Sequence, residues 1–160
     1  MIRAVRREDV AAITAIYNVY VEKDTATFEL DPVSVEEMAR RVAEISSVYP
    51  YLVCEEEGKL VGYAYVHAWK SKEAYDKTLE TTVYLAPGWE GRGYGRRLMD
   101  RLIEMCRERG YHALIACITA ENMRSRALHT RLGFKQVSHF EQVGWKFGRW
   151  LDVVDFQLLL

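Results

Sequence analysis

Residues 1–160 predict a single α/β domain (α+β in layout) built on a mixed sheet, and three observations carry that reading. Segments of period-two alternation and segments of helical period interleave along the chain. The stretch "YLVCEEEGKLVGYAYVHAW" (51–69) holds two β-prone runs around one glycine, a hairpin pattern. The stretch "HALIACIT" (112–119) is apolar almost throughout, as a strand covered on both faces must be. With 49% hydrophobic residues the chain can bury a sizeable core, and no linker, repeat or low-complexity tract divides it.

The elements follow in order. "IRAV" (2–5) alternates like a short strand. "EDVAAITAIYNVYVEK" (8–23) places Val10, Ile13, Ile16, Tyr17 and Tyr20 on one helical face. "ATFELDP" is a loop ended by Pro32. "SVEEMARRVAEI" (34–45) opens with a capping box, Ser34 as N-cap and Glu37 three residues on. The hairpin 51–69 turns at Gly58-Lys59, and "TLETTVYLA" (78–86) is a further strand. A helix runs from Gly95 to Arg109 with Leu98, Leu102, Ile103 and Cys106 inward and Gly110 at its C′ position. After the apolar strand, "ENMRSRALHTRLGF" is a short helix ended by Gly133. Two strands close the chain, "KQVSHFEQVGWKFG" and "RWLDVVDFQLLL". The order is β-α-α-β-β-β-α-β-α-β-β.

Charge excludes some functions. Lysine plus arginine number 22 against 23 acidic residues, so the chain lacks the basic field of a nucleic-acid binder. Positive charge is local instead: Arg92, Arg96, Arg97 and Arg101 crowd one region. Cys54, Cys106 and Cys117 fit no metal spacing and read as buried free thiols. "MIRAVRREDV" has no signal-peptide pattern, and no apolar run nears the ~20 residues of a membrane span. A soluble cytoplasmic protein without a metal is expected.

The most informative stretch is "VYLAPGWEGRGYGRRLM" (83–99), where Gly91, Gly93 and Gly95 lie between a strand and a helix start. Glycine there permits φ > 0 and close approach to the backbone. A helix N-terminus adds unpaired N–H groups and partial positive charge, which together make an anion site. Arg92, Arg96 and Arg97 can add charge-assisted bonds. The spacing is neither a Walker motif nor G-x-G-x-x-G, since Arg96 stands where the last glycine belongs. On the residues alone, a plain glycine-rich surface turn remains the alternative.

That stretch, followed by "LIACITAENMRSRALHTRLGFKQV", resembles the GNAT acyl-CoA N-acyltransferases, whose mark is a strand, a Q/R-x-x-G-x-G/A loop and a helix that holds the CoA pyrophosphate. Glu90 stands where that family has Gln or Arg. The stretches "IYNVYVEKDTATFE", "EAYDKTLETTVYL", "LHTRLGF" and "GWKFGRWLDV" narrow the resemblance to the phosphinothricin/methionine-sulfone acetyltransferase branch, over nearly the whole chain.

The resemblance implies a GNAT fold, with a mostly antiparallel central sheet flanked by helices, and transfer of acetyl from acetyl-CoA to the amine of a small amino-acid analogue in a homodimer. Glu80 would be the general base. Val83, Tyr84 and Leu85 would pair with the pantetheine arm as a peptide adds to a sheet edge. Gly91, Arg92, Gly93, Tyr94, Gly95 and Arg96 would cradle the diphosphate. Asn122 and Ser125 would bind further along the arm. His129 stands seven residues after Asn122, where many relatives have a tyrosine, and would donate to the departing thiolate. The acceptor would lie among Phe28, Glu29, Glu73, Ala74, Tyr75 and Lys146, with Lys72, Lys77 or Lys146 as partner for its carboxylate. The rival expectations are a GNAT acting on protein amines, aminoglycosides or polyamines, and a non-catalytic acyl-CoA-binding module.

Overall fold

The alternating and helical segments form eight strands and four α-helices in a computed structural model that describes residues 1–160. The order is β1 (Ile2–Ala4), α1 (Val10–Lys23), α2 (Val35–Ser46), β2 (Tyr51–Glu56), β3 (Lys59–Ala68), β4 (Thr78–Leu85), α3 (Tyr94–Glu108), β5 (Ala113–Thr119), α4 (Met123–Arg131), β6 (Lys135–Gln136), β7 (Phe140–Lys146) and β8 (Arg149–Leu159). Short 3-10 turns at Arg7–Asp9 and Glu73–Tyr75 lead into α1 and β4.

The sheet order is β1-β2-β3-β4-β5-β8-β6, with β7 also on β8. The parallel pair is β4–β5, and the others are antiparallel. Each face of the sheet has its own core. On one, α3 supplies Leu98, Met99, Leu102, Ile103 and Cys106 to a cluster of 17 buried residues that includes Leu79, Leu114, Ala116 and Ile118. On the other, Ile13, Ile16, Tyr17 and Val21 of α1 and Met38 and Val42 of α2 pack on Tyr51, Val53 and Tyr63 in a cluster of 11. The inward residues of the 8–23 and 95–109 patterns fall in these clusters, except that Tyr20 is only partly covered. Gly110 takes φ 76°, and the Tyr111 N–H reaches back to the Cys106 carbonyl, a glycine-stopped helix end.

Four expectations are corrected. The hairpin turns one residue earlier, on Glu57 and Gly58 with φ 50° and 76°, because Glu56 pairs with Lys59 and a two-residue turn of that hand needs both central residues left-handed. The Ser34 cap forms, but Glu37 turns its carboxylate to Arg40 and Arg41 and does not close the box. The stretch 135–148 is two strands: the Ser138 hydroxyl, tied to the Asp155 amide and carboxylate, bends the chain between β6 and β7. Cys54 and Cys106 are buried free thiols, whereas Cys117 is exposed.

Candidate active site

The sheet forks between its two central strands. β4 and β5 pair only through Thr78–Thr81 and Ala113–Ala116, while β5 continues along β8 to Thr119. From Thr82 to Leu85, β4 has no partner on its β5 side. The fork opens into a cleft of about 740 Å³ lined by Thr81–Leu85 of β4, Ala116–Thr119 of β5, and Tyr20, Glu90, Gly95, Asn122, Ser125, Leu128 and His129. The exposure of Cys117 follows, since it lines this cleft where β4 has moved away. Loss of hydration and the nearby Asp155 and Glu80 carboxylates push its thiol up to about 12. It is therefore a neutral thiol and a poor nucleophile.

At the open end, Gly88, Gly91 and Gly93 have φ of 84°, 73° and 85°. Open space surrounds Gly91 and Gly93, so glycine is required there for conformation and not for room. Gly93 is the N-cap of α3; no side chain caps the helix and its first turn holds no acid. The first amide bonded inside the helix is that of Arg97, to Gly93 O, which leaves the N–H groups of Tyr94, Gly95 and Arg96 without partners. An anion at such an end gains ~0.3–1 kcal/mol from the dipole alone. Glu90 is not a ligand of this end: its carboxylate accepts the Gly88 amide at 2.8 Å and closes the turn on itself. Arg92 stacks over Trp89 at 4.9 Å and Arg97 over Tyr94 at 5.6 Å. Arg96 stands exposed beside Asp100.

Gly95 thus lines the cleft with Val83, Tyr84 and Leu85, whereas Gly91, Arg92, Gly93, Tyr94 and Arg96, its neighbours along the chain, do not. Asn122 and Ser125 line the cleft as well, and Asn122 also caps α4, its Oδ1 accepting the Ser125 amide at 3.1 Å. His129 is buried, with Nδ1 2.7 Å from the Ser125 carbonyl oxygen and its ring edge-on to Phe134. Burial lowers its pKa, so it is a neutral ring whose proton is held by Ser125.

Glu80 lies at the closed end of the fork, opposite Ile115. Alternation puts it on the same sheet face as Thr82 and, through that pairing, as Cys117. Its carboxylate contacts His67 at 3.0 Å.

The residues expected around the acceptor do not line this cleft. Phe28 packs into the notch of Gly144, where a Cβ would come within 2.2 Å of its ring. Glu29 pairs with Arg41. Glu73 and Ala74 are exposed on the 3-10 turn, and Tyr75 meets Trp69 edge-on at 5.3 Å with Lys70 above both rings. Lys146 is a correction. It is 2% exposed, and its Nζ donates to Thr27 O at 2.8 Å and Tyr20 O at 3.3 Å, so it fastens β7 to the α1–α2 loop and has no free reach to a carboxylate. Lys77 lies over Tyr111, away from this end.

Several positioning hydrogen bonds escaped the sequence reading. The Tyr20 hydroxyl donates to Leu85 O at 2.7 Å, tying α1 to the free strand. Thr25 donates to the Glu121 carboxylate, which Arg149 also grips with two bonds of 2.7 Å, and Thr119 donates to Thr25 O. These bonds join chain segments far apart in sequence, and no local pattern announces them.

Comparison with known proteins agrees with this geometry. Residues 2–154 match the acetyltransferase (GNAT) domain family. The chain is 44% identical to a phosphinothricin N-acetyltransferase of Alcaligenes faecalis over 158 residues, covering 98% of this chain and 80% of that one. It is 41% identical to an L-methionine sulfoximine/L-methionine sulfone acetyltransferase of Salmonella typhimurium, covering 99% and 94%. Among solved structures, a GNAT superfamily phosphinothricin acetyltransferase from Sinorhizobium meliloti in complex with AcCoA superimposes with a TM-score of 0.97 at 37% identity, covering 100% of this chain and 88% of that one.

Proposed function

The chain belongs to the GNAT acetyltransferase family and is an acetyl-CoA-dependent N-acetyltransferase; from that premise we propose that its acceptor is the α-amino group of a small amino-acid analogue of the phosphinothricin, methionine sulfone or methionine sulfoximine type. The observation that carries the mechanism is the fork. It sets a carboxylate, Glu80, one residue inside the point where β4 parts from β5, on the face that Cys117 shares with the cleft.

Acetyl-CoA supplies the activated acyl group. The residues present fit it: three unpartnered amides and no acid at the start of α3 suit a diphosphate, and the free edge of β4 suits a chain of amides. Tyr94, Gly95 and Arg96 hold the phosphates through their N–H groups, and Arg96 adds charge. Val83, Tyr84 and Leu85 align the arm, and Asn122 offers its Nδ2, which forms no hydrogen bond within the chain. Glu80 takes a proton from the incoming ammonium, so that the amine attacks as a free base. His129 and Ser125 line the thiol end of the cleft, the Ser125 hydroxyl lying 3.3 Å from the Nδ1 that donates to the Ser125 carbonyl. With Lys146 committed to backbone carbonyls, Lys72 is the cation assigned to the acceptor carboxylate.

Thiol release from acetyl-CoA with a panel of amines tests the acceptor. Turnover is expected with phosphinothricin and methionine sulfone; turnover with only a peptide, polyamine or aminoglycoside refutes the assignment.

The reading extends to a homodimer in the cytoplasm. Val143 and Trp145 face outward from β7 while Gly144 and Lys146 face in, and Trp145 meets Trp150 across the hairpin at 4.9 Å; both tryptophans are more than half exposed. An apolar patch of this kind marks an interface. Light scattering of Trp145→Glu should give a monomer where the parent gives a dimer; a parent that is itself monomeric removes the dimer from the reading. The free thiols support a reducing compartment.

A further inference from the structure

Glu80 does not stand alone at the closed end of the fork. The β3–β4 register sets His67 directly opposite it, with Nε2 3.0 Å from Glu80 Oε2. The other ring nitrogen, Nδ1, is 2.9 Å from the Ala68 carbonyl oxygen. Both nitrogens therefore face acceptors. A neutral imidazole carries one N–H and one lone pair. With its proton on Nδ1 toward Ala68, it turns the Nε2 lone pair on a carboxylate. The gap between Nε2 and Oε2 is thus a seat for one more proton.

The surroundings leave that seat to these two groups. Tyr65, the neighbour on β3, lies 6.0 Å from the imidazole between ring centres. Cys117 on β5 stands near Glu80, with Asp155 of β8 beside it. Arg41 of α2 and Glu29 of the α1–α2 loop bear on Tyr65, while the charged group that bears on His67 is Glu80. No arginine or lysine pairs with Glu80. The carboxylate raises the His67 pKa above its ordinary value, against the lowering by burial.

A carboxylate standing alone is a weak base for an ammonium. Backed by an imidazole, it has a second acceptor beside it for the proton it takes. We propose that His67 is a positioning residue for the acyl transfer, aiming Glu80 at the incoming amine and completing with it the seat in which the ammonium proton comes to rest. This rests on the reading of Glu80 as the base. In the step, the ammonium N–H bond breaks and its electron pair stays on nitrogen. The proton passes to Glu80 and is then shared with His67 Nε2 as an imidazolium–carboxylate pair. The side chains of His67 and Glu80 are 35% and 27% exposed, which gives the proton an exit to water.

The test combines pH profiles of kcat/KM with an NMR titration of the His67 ring. In the parent, His67 is expected to titrate above ~6.5, and in Glu80→Gln to fall back toward it. In His67→Gln the acidic limb of kcat/KM is expected to move down by about one pH unit or more, with about tenfold loss near neutrality and no change in KM for acetyl-CoA. Should that variant not fold, a parent His67 titrating at or below ~6.5 overturns the proposal by itself. An unmoved acidic limb in folded His67→Gln also overturns it. The two readings separate cleanly. Full activity in Glu80→Gln removes the base and the proposal together, whereas an inactive Glu80→Gln beside an unaltered His67→Gln profile removes only His67.

Discussion

The region assigned to the cofactor and the region assigned to the acceptor are made of different material. The first is main chain: three partnerless amides at the start of α3, a β4 edge that β5 has left, and glycines held at φ near 80°. The second lies beside the cleft and is side chain: Glu80 on His67, Glu29 on Arg41 and Phe28 in the notch of Gly144, with Lys146 tying β7 to two carbonyls behind them. Main-chain apparatus recognises what every acyl-CoA shares. Side-chain apparatus can be altered one residue at a time, and that is where relatives can diverge in acceptor.

Substitutions in each region sharpen the contrast, the largest effect first. Glu80→Gln should lower kcat/KM by roughly 10²–10⁴ in the thiol-release assay and leave the calorimetric affinity for acetyl-CoA unchanged. Gly93→Val attacks the other region. A β-branched residue held at φ 85° is strained by ~1–2 kcal/mol, so acetyl-CoA affinity should weaken by about tenfold while the acidic limb of the pH profile stays in place. Lys146→Met removes the donor to the buried Thr27 carbonyl and should lower unfolding stability by ~1–3 kcal/mol in urea, with KM rising for the amine more than for acetyl-CoA. If Gly93→Val instead shifted amine selectivity, or Lys146→Met only CoA affinity, the division between the two regions would be wrong.

The smallest effect is electrostatic. His67 has a raised pKa when folded, so its contribution to stability is full below ~6.5 and is lost as pH rises through the folded value. His129 is depressed, so its contribution is full above ~6.5 and is lost as pH falls toward the folded value. Denaturant midpoints across this range should therefore decline on both sides. His67→Gln should flatten the alkaline side alone, and His129→Gln the acidic side alone.

The same division explains what could be read in advance. Gly91 and Gly93 announced themselves because a left-handed backbone leaves its mark on composition at the site itself. The helices 8–23 and 95–109 were legible because burial on one face imposes a period. Lys146 was not, because a lysine reads as surface until its two carbonyl partners, more than a hundred positions away, are in place. Cys117 was misread for a related reason: an apolar run implies cover on both faces, and only the departure of β4 removes it. His67 sits in an ordinary strand pattern, "YAYVHAW", and its meaning depends on a hairpin register that pairs it with Glu80. Glu80 and His129 were singled out through likeness to a family, and the fold sets them in unlike surroundings, one against the His67 ring and the other buried edge-on to Phe134.

A row of unsatisfied backbone groups is hazardous on the rim of a sheet, where it invites stray strands from other molecules. Here the break falls mid-sheet, with β5 and α4 on one flank and the Tyr20 hydroxyl latching Leu85 on the other. The stickiness that would promote aggregation at a margin is confined to an internal slot, where it becomes selective for a slender guest. A mutation extending the β4–β5 ladder by two rungs would make a tidier sheet and an inert protein.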